Sequence, residues 1–218
     1  HGAIEVTRKL DSLGCAAFGV AIPEEGAALR EAGIIKPIAV LGGIFADQAP
    51  DIVELGLTPV VFDMTVARAL DRAAKNRRIT LNIHVKVDTG MGRLGIQPHD
   101  ATSFFSELKG LENLRVEALL SHFAESEADD KEFSMSQLSA FRKTVEEIKK
   151  TGATPGALEM ANSAALVDLE PSRLDMARPG IMLYGSYPAE RLRAEVLLKP
   201  VMTLASELIA LDGRAAEG

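Results

Sequence analysis

The sequence lacks several features that would point to particular classes of protein. Its 218 residues include one cysteine, Cys15, so an internal disulfide is excluded and a reducing compartment is expected. The net charge is −7, and no basic stripe with interleaved aromatic residues is present, which argues against nucleic acid as a partner. No apolar run approaches the ~18 residues that cross a bilayer, and no signal-peptide pattern opens the chain. We therefore expect a cytoplasmic protein that binds neither nucleic acid nor membrane.

What the sequence does contain is the alternation of an α/β protein. Short apolar runs rich in β-formers alternate with helical stretches, which is typical of βα units around a parallel sheet. The expected strands lie in residues 15–22, 37–44, 58–63, 80–88, 115–124, 156–164 and 173–185. The expected helices lie in residues 4–13, 23–33, 46–56, 64–77, 99–110 and 135–152. Seven strands are one too few for a complete barrel, so we predict a TIM-type (β/α)8 barrel that lacks its first strand.

The last apolar run, residues 201–211, has a different pattern. Met202, Leu204 and Leu208 alternate with small or polar residues and no helix follows, which predicts a half-exposed antiparallel strand. We expect a barrel domain over residues 1–199 and the first strand of a C-terminal β-domain within residues 200–218. The chain begins at His1 without an initiator methionine, so we also expect both ends to be cuts through a larger protein.

Polar residues stand where the expected strands end. They are Lys86, Asp88 and Arg93 in "VKVDTGMGRLG", His122 in "SHFA", Asn162 and Ser163 in "ANSAA", and Arg178 in "ARPGIMLYG". Taken singly, each has an ordinary structural explanation, such as a turn, a helix N-cap or a hydrogen-bonded histidine. The carboxyl ends of parallel strands meet at one rim of a barrel, however, so their joint placement favours a binding site.

The last two strand ends point to a phosphorylated ligand. The common phosphate site of these barrels uses the loops after strands seven and eight. There Ser163 offers a hydroxyl, while Gly180 and Ile181 offer backbone N–H groups, and Gly180 lets the backbone approach closely.

Five motifs in order give the chain a family resemblance. "VKVDTGMGRLG", "SHFA" with the downstream "QLSAF", "ANSAA", "ARPGIMLYG" and "LKPVMTL" together resemble the alanine racemase family over essentially all 218 residues. The resemblance implies an α/β barrel followed by a β-domain, a head-to-tail homodimer, and pyridoxal 5′-phosphate (PLP) as cofactor. It implies interconversion of L-alanine and D-alanine, which supplies D-alanine for peptidoglycan.

The resemblance also assigns roles at the cofactor. Arg178 would face the pyridine nitrogen of PLP. Because a guanidinium keeps its proton, it would hydrogen-bond this nitrogen without protonating it, which weakens the electron sink and disfavours transamination. The remaining implied cofactor residues are the phosphate ligands Ser163, Gly180 and Ile181, the neighbouring support Asn162, and His122 beside the ring.

Two further basic residues have implied roles. Arg93 would hydrogen-bond the phenolic oxygen of PLP and face the substrate carboxylate, and the glycines around it let its loop turn tightly. Lys86 matches a lysine often found carbamylated, whose anionic carbamate would hold Arg93; the alternative is a salt bridge to Asp88 or a neighbour. The chain departs from the family at Glu159, where some members carry a histidine, and this carboxylate either pairs with Arg178 or points away.

The resemblance places neither catalytic base in the chain. His1-Gly2-Ala3 are similar to the tail of a Tyr-Gly-His-Gly sequence that follows the PLP-binding lysine, and the tyrosine base belongs to the β-domain of the partner. We therefore expect the chain alone to be inactive.

Other functions remain open at this point. They are a racemase of broad specificity, a decarboxylase of basic amino acids, and a single-domain protein that binds and supplies PLP without turnover. Arg178 argues against the decarboxylases, which place a carboxylate at the pyridine nitrogen, and the expected strand after Pro200 argues against the PLP-binding protein.

Overall fold

In the computed structural model the described residues are 1–207, and they contain six strands and seven α-helices. The strands are β1 (Phe18–Val20), β2 (Ile38–Val40), β3 (Thr58–Val61), β4 (Leu81–Lys86), β5 (Leu114–Leu120) and β6 (Ala157–Glu159). The helices are α1 (Ala3–Ser12), α2 (Pro23–Glu31), α3 (Ala49–Glu54), α4 (Met64–Arg77), α5 (Ala101–Leu108), α6 (Glu132–Lys150) and α7 (Ser163–Asp168). Each of the six strands overlaps a run that the sequence predicts.

The six strands form one parallel sheet in chain order, from β1 to β6. Helices connect successive strands, and the sheet curls into a half-barrel. Apolar side chains of the strands, such as Ile38, Val40 and Ile83, are fully buried in the same cluster as Phe141 of α6. This arrangement brings the carboxyl ends of neighbouring strands to one rim, as a partial α/β barrel requires.

Helix boundaries follow local signals in the sequence. The carboxylate of Asp63 accepts hydrogen bonds from Thr65 N and Val66 N at 2.7 and 3.1 Å and so caps the start of α4. On α6, the predicted apolar face of Leu138, Phe141, Val145 and Ile148 is buried, none of the four being more than 2% exposed.

The prediction of a seventh strand over residues 173–185 is wrong. Within this segment the structure has a single bridge, between Met176 and Glu159 of β6. The carboxylate of Asp175 accepts the hydrogen bond from Leu158 N at 2.8 Å, and Leu158 O accepts from two successive N–H groups. A side chain thus replaces a main-chain acceptor, which disrupts the ladder; Pro179 then follows, and Ile181–Tyr184 form a 3-10 helix.

The predicted strand of a β-domain is absent from residues 201–207, and its remaining positions lie outside the described residues. The beginning of a second domain at Pro200 therefore stays a prediction. A search of residues 1–207 for a helix that could cross a bilayer found no segment of sufficient length and hydropathy.

Candidate functional site

Polar side chains alternate with apolar ones along β4, the central strand of the site. Asn82, His84 and Lys86 occupy every second position, while Leu81, Ile83 and Val85 belong to the apolar core behind the strand. Successive side chains of a strand point to opposite faces, so the three polar groups share one face of the sheet. Lys86 lies last, at the carboxyl end of the strand, and is only 5% exposed.

The loop after β4 is closed by main-chain hydrogen bonds at its base. Asp88 N donates to Ile96 O, and Ile96 N donates to Lys86 O, both at 2.9 Å. Gly95 has a φ of +133°, and a Cβ there would lie 2.6 Å from Asp88 N. Only glycine fits this closure, which confirms that the glycines permit the tight turn around Arg93.

Asp88 organises the same loop from inside. Its Oδ1 accepts hydrogen bonds from the N–H groups of Gly90, Met91 and Gly92 at 2.8 to 3.1 Å. Burial pushes the pKa of Asp88 upward, but these backbone donors outweigh burial and lower it. Asp88 is therefore a turn anchor and, contrary to the alternative considered for Lys86, lies more than 4 Å from the ammonium group.

Arg178 is held in place by two acceptors. Its Nη1 donates to Glu159 Oε2 at 2.8 Å, and its Nη2 donates to Ser121 O at 2.6 Å. The Glu159 carboxylate is 2% exposed. The open question about Glu159 thus has an answer, since it pairs with Arg178 and does not point away.

Three cationic groups meet at the mouth of the half-barrel. The pKa of Lys86 falls from 10.5 to about 8, first because the amine is buried and then because Arg93 and Arg178 lie near, an effect that Asp88 partly offsets. Burial and the same three cations lower the pKa of His122 to about 4. Within residues 1–207 no carboxylate oxygen lies within 4 Å of Lys86 Nζ, so this cationic cluster favours an anionic ligand.

The predicted phosphate ligands also come together. Gly180 N donates to Ser163 Oγ at 2.9 Å, which leaves the hydroxyl hydrogen of Ser163 for another acceptor. A Cβ on Gly180 would meet no atom within 4 Å, so the space beside it is open to a ligand. Asn162 has a supporting place, because its Oδ1 accepts from Ala165 N at 3.0 Å and from Ser126 Oγ at 2.7 Å.

Two of the predicted site residues are exposed to solvent. Arg93 is exposed at the tip of its loop, and the Ile181 side chain is 49% exposed. Beside the Arg93 loop, a mostly apolar cavity of about 620 Å³ is lined by the segments that follow β1, β2 and β3, together with Leu94.

His122 is fixed through its backbone by a residue of α6. The amide of Gln137 donates from Nε2 to His122 O at 3.2 Å and accepts at Oε1 from Ala124 N at 3.0 Å. Gln137 is fully buried. This bridge joins the "SHFA" motif to the downstream "QLSAF" motif.

Several polar residues of the site were not predicted from the sequence. Ser121 supplies a carbonyl to Arg178, and its hydroxyl lies 2.8 Å from Thr89 Oγ1, but nothing in the sequence marks it. His84 and Glu117 lie 3.5 Å apart behind Glu159. The alternation along β4 was the available signal for His84, and the apolar neighbours concealed it.

The residues present fit PLP in charge and donor type. The cofactor carries a phosphate and a phenolic oxygen, which match the cationic cluster and the Ser163–Gly180 donors. A pyridine nitrogen accepts a hydrogen bond, and Arg178 keeps Nη hydrogens beyond those given to Glu159 and Ser121. The match is one of chemistry, in the donor set and in the open space at Gly180.

Comparisons with known proteins identify the family of this chain. Residues 1–188 match the family described as alanine racemase, N-terminal domain. A curated alanine racemase of Halothermothrix orenii is 38% identical over 211 residues, which cover 97% of this chain and 56% of the relative. The chain thus spans about half the length of the curated relatives it matches.

Solved structures give the same result. An alanine racemase of Clostridium difficile 630 in complex with cycloserine has a TM-score of 0.89 and 32% identity, covering 92% of this chain and 56% of that one. An alanine racemase of Bartonella henselae with covalently bound pyridoxal phosphate has a TM-score of 0.75 and 25% identity, covering 84% and 52%. By its sequence match and its fold, this chain belongs to the alanine racemase family and corresponds to its N-terminal domain.

Proposed function

We propose that the full-length protein uses PLP to interconvert L-alanine and D-alanine, and that this supplies D-alanine for peptidoglycan. The observation that carries the proposal is the anchored guanidinium of Arg178 beside the Ser163–Gly180 contact, in a chain of the alanine racemase family. The printed names of the relatives support alanine as substrate, and the Bartonella henselae enzyme supports the cofactor. A homodimer is part of the proposal.

Arg178 determines the electronic character of the site. When bound, PLP supplies an electron sink for the charge left when a proton leaves the alanine Cα. The contact with Glu159 holds the guanidinium in place, and a guanidinium donates hydrogen bonds without giving up a proton, so Arg178 hydrogen-bonds the pyridine nitrogen without protonating it. The weaker sink disfavours side reactions such as transamination. Decarboxylases of basic amino acids would need a carboxylate at that nitrogen, whereas here the nearest carboxylate is bound behind Arg178.

The other residues bind and orient. Ser163 and Ile181 donate to the phosphate, and the N–H of Gly180 joins them once it is released from Ser163 Oγ, while Asn162 supports the site by capping α7. Arg93 donates to the phenolic oxygen and to the substrate carboxylate. His122 is neutral at pH 7, because its pKa is about 4, and so packs against the cofactor ring without adding charge. The bases that remove and return the Cα proton are, in this proposal, outside residues 1–218.

Lys86 is proposed to carry a carbamate. The amine must be neutral to attack CO2, and a pKa of about 8 makes a sizeable neutral fraction available near neutral pH. The amine nitrogen bonds to the carbon of CO2 and one proton is released. The product is an anion beside Arg93 and Arg178. Within residues 1–207, no carboxylate oxygen lies within 4 Å of Lys86 Nζ, so the carbamate would be the first anion at this position.

Two alternatives remain distinct from this proposal. The predicted strand after Pro200 is absent from residues 201–207 and its remaining positions lie outside the described residues, so it does not separate a racemase from a non-catalytic PLP-binding protein. What favours a racemase is the family match and the names of the relatives. A racemase of broad specificity shares these features and differs in the substrates it accepts.

The test is the formation of D-alanine from L-alanine by the full-length protein with PLP. Activity on L-alanine that exceeds activity on other amino acids supports the proposal. PLP binding without turnover would assign the protein to the non-catalytic class, and comparable turnover of several amino acids would assign broad specificity. Residues 1–218 alone, under the same conditions, are expected to produce no D-alanine.

A further inference from the structure

A line of polar side chains runs from Arg178 into the barrel interior. Glu159 Oε2 accepts from Arg178, and the other oxygen, Oε1, lies 3.5 Å from His84 Nδ1. The opposite ring nitrogen, His84 Nε2, lies 3.5 Å from Glu117 Oε2. His84 and Glu159 are 7% and 2% exposed, so both groups are removed from water.

Two atoms in this line, His84 Nδ1 and Glu159 Oε1, are buried and have no hydrogen-bond partner among residues 1–207. Nearly all buried polar atoms in proteins are paired. The two atoms face one another at the outer limit of hydrogen-bond distance. A hydrogen on Nδ1 satisfies both atoms after a shift of a few tenths of an ångström.

The far side of the imidazole is already held. Glu117 Oε1 accepts from Asn82 Nδ2 at 2.9 Å, and Asn82 Oδ1 accepts from Arg115 Nε at 2.9 Å. Glu117 therefore has a fixed direction, and its Oε2 faces Nε2 of His84. Both flanking carboxylates only accept, so contact with both of them needs a hydrogen on each ring nitrogen. With Nε2 directed at Glu117, Nδ1 is directed at Glu159.

We propose that His84 is a positioning residue that acts on Arg178 through Glu159. Arg178 has two anchors, Ser121 O and Glu159 Oε2, and the second is only as well fixed as the carboxylate that carries it. A donor on Oε1 fixes this carboxylate and so sets the direction of the Arg178 hydrogens at the cofactor site. The inference rests on the proposed function, in which Arg178 faces the pyridine nitrogen.

Three variants of the full-length protein distinguish the role of His84 Nδ1 from that of Nε2. His84→Asn keeps a donor near the position of Nδ1, His84→Gln keeps one near Nε2, and His84→Leu keeps neither. Thermal unfolding verifies that each variant folds. If His84→Leu does not fold, the comparison of His84→Asn with His84→Gln still decides the matter.

The first readout needs no turnover. The Nε–H signal of Arg178 in a ¹H–¹⁵N spectrum is expected to shift or broaden in His84→Gln and His84→Leu and to stay near its wild-type position in His84→Asn. The ¹⁵N shift of the pyridine nitrogen in bound, labelled PLP is expected to follow the same order. A residue that only fills space would give the same spectra in His84→Asn and His84→Gln.

Kinetics give the second readout. We expect kcat for L-alanine to fall on the order of 10-fold in His84→Gln and His84→Leu, with KM unchanged, and recovery in His84→Asn to within about 3-fold of wild type. Wild-type racemisation with unchanged Arg178 signals in all three variants would overturn the role of His84 and leave the proposed function intact. A wild-type protein that makes no D-alanine would instead refute the proposed function, and the Arg178 signals would still decide whether His84 positions this residue.

Discussion

Replacing Lys86 by methionine is expected to change how the stability of the protein depends on pH. The amine is 5% exposed, lies near two arginines and has no carboxylate within 4 Å among residues 1–207, so its charged form is disfavoured in the folded state. Methionine has a similar length and is uncharged, so Lys86→Met removes the titration and keeps much of the packing.

The magnitude follows from the change in pKa. A fall from 10.5 to about 8 corresponds to about 3 kcal/mol, at about 1.4 kcal/mol per pKa unit. Between about pH 8 and pH 10.5, the unfolded chain binds more protons at Lys86 than the folded protein does. The free energy of unfolding therefore rises with pH across this window and loses the same contribution as the pH falls through about 8.

Urea unfolding in CO2-free buffers measures this difference. The free energy of unfolding of the wild type, minus that of Lys86→Met, is expected to increase by about 3 kcal/mol from below pH 8 to above pH 10.5. Parallel curves for the two proteins would refute the account of the cationic cluster. Added bicarbonate is expected to stabilise only the wild type, with a mass increase of one CO2 at Lys86.

Three other results are expected. Gly95→Ala is expected to lower the free energy of urea unfolding by about 3 kcal/mol or more, because the new Cβ would meet main-chain atoms. Gly14→Ala, at a φ of +85° but with open space around the Cβ, is expected to lower it by about 1 kcal/mol. Equal losses in the two variants would contradict the close approach at Gly95. Ser163→Ala is expected to raise the dissociation constant of PLP about 10-fold, as judged by absorbance titration, whereas the exposed Ser103→Ala is expected to leave it unchanged; similar affinities would remove Ser163 from the phosphate site. The NMR signals of His122 are expected to titrate near pH 4, because burial and three cations keep the ring neutral, and a midpoint near 6.5 would show that those cations lie elsewhere.

Local signals account for the parts of the fold that were predicted correctly. The expected bounds of α4, residues 64–77, agree with the structure because Asp63 caps its start and Arg78, with a φ of +56°, ends it. The seventh strand failed because one side chain, Asp175, competes for a main-chain donor. Such competition depends on neighbours in space and leaves no periodic trace in the sequence.

The candidate site was likewise predictable from the sequence only in part. The motifs identified Arg178, Ser163 and Gly180, because strand ends converge in any parallel barrel. The sequence could not decide whether Glu159 pairs with Arg178, since the pairing depends on how the segment after β6 folds back against that strand. Glu117 was also out of reach, because its contact with His84 depends on an irregular register between β4 and β5.

The bridge made by Gln137 has a consequence for sequence variation in relatives of this chain. The side-chain amide of Gln137 binds the main chain on both sides of Phe123, at His122 O and Ala124 N, so a shift or rotation of α6 would move His122 at the mouth of the half-barrel without any substitution there. Substitutions on the buried face of α6 can therefore change the position of His122 without touching the residues at the mouth of the half-barrel.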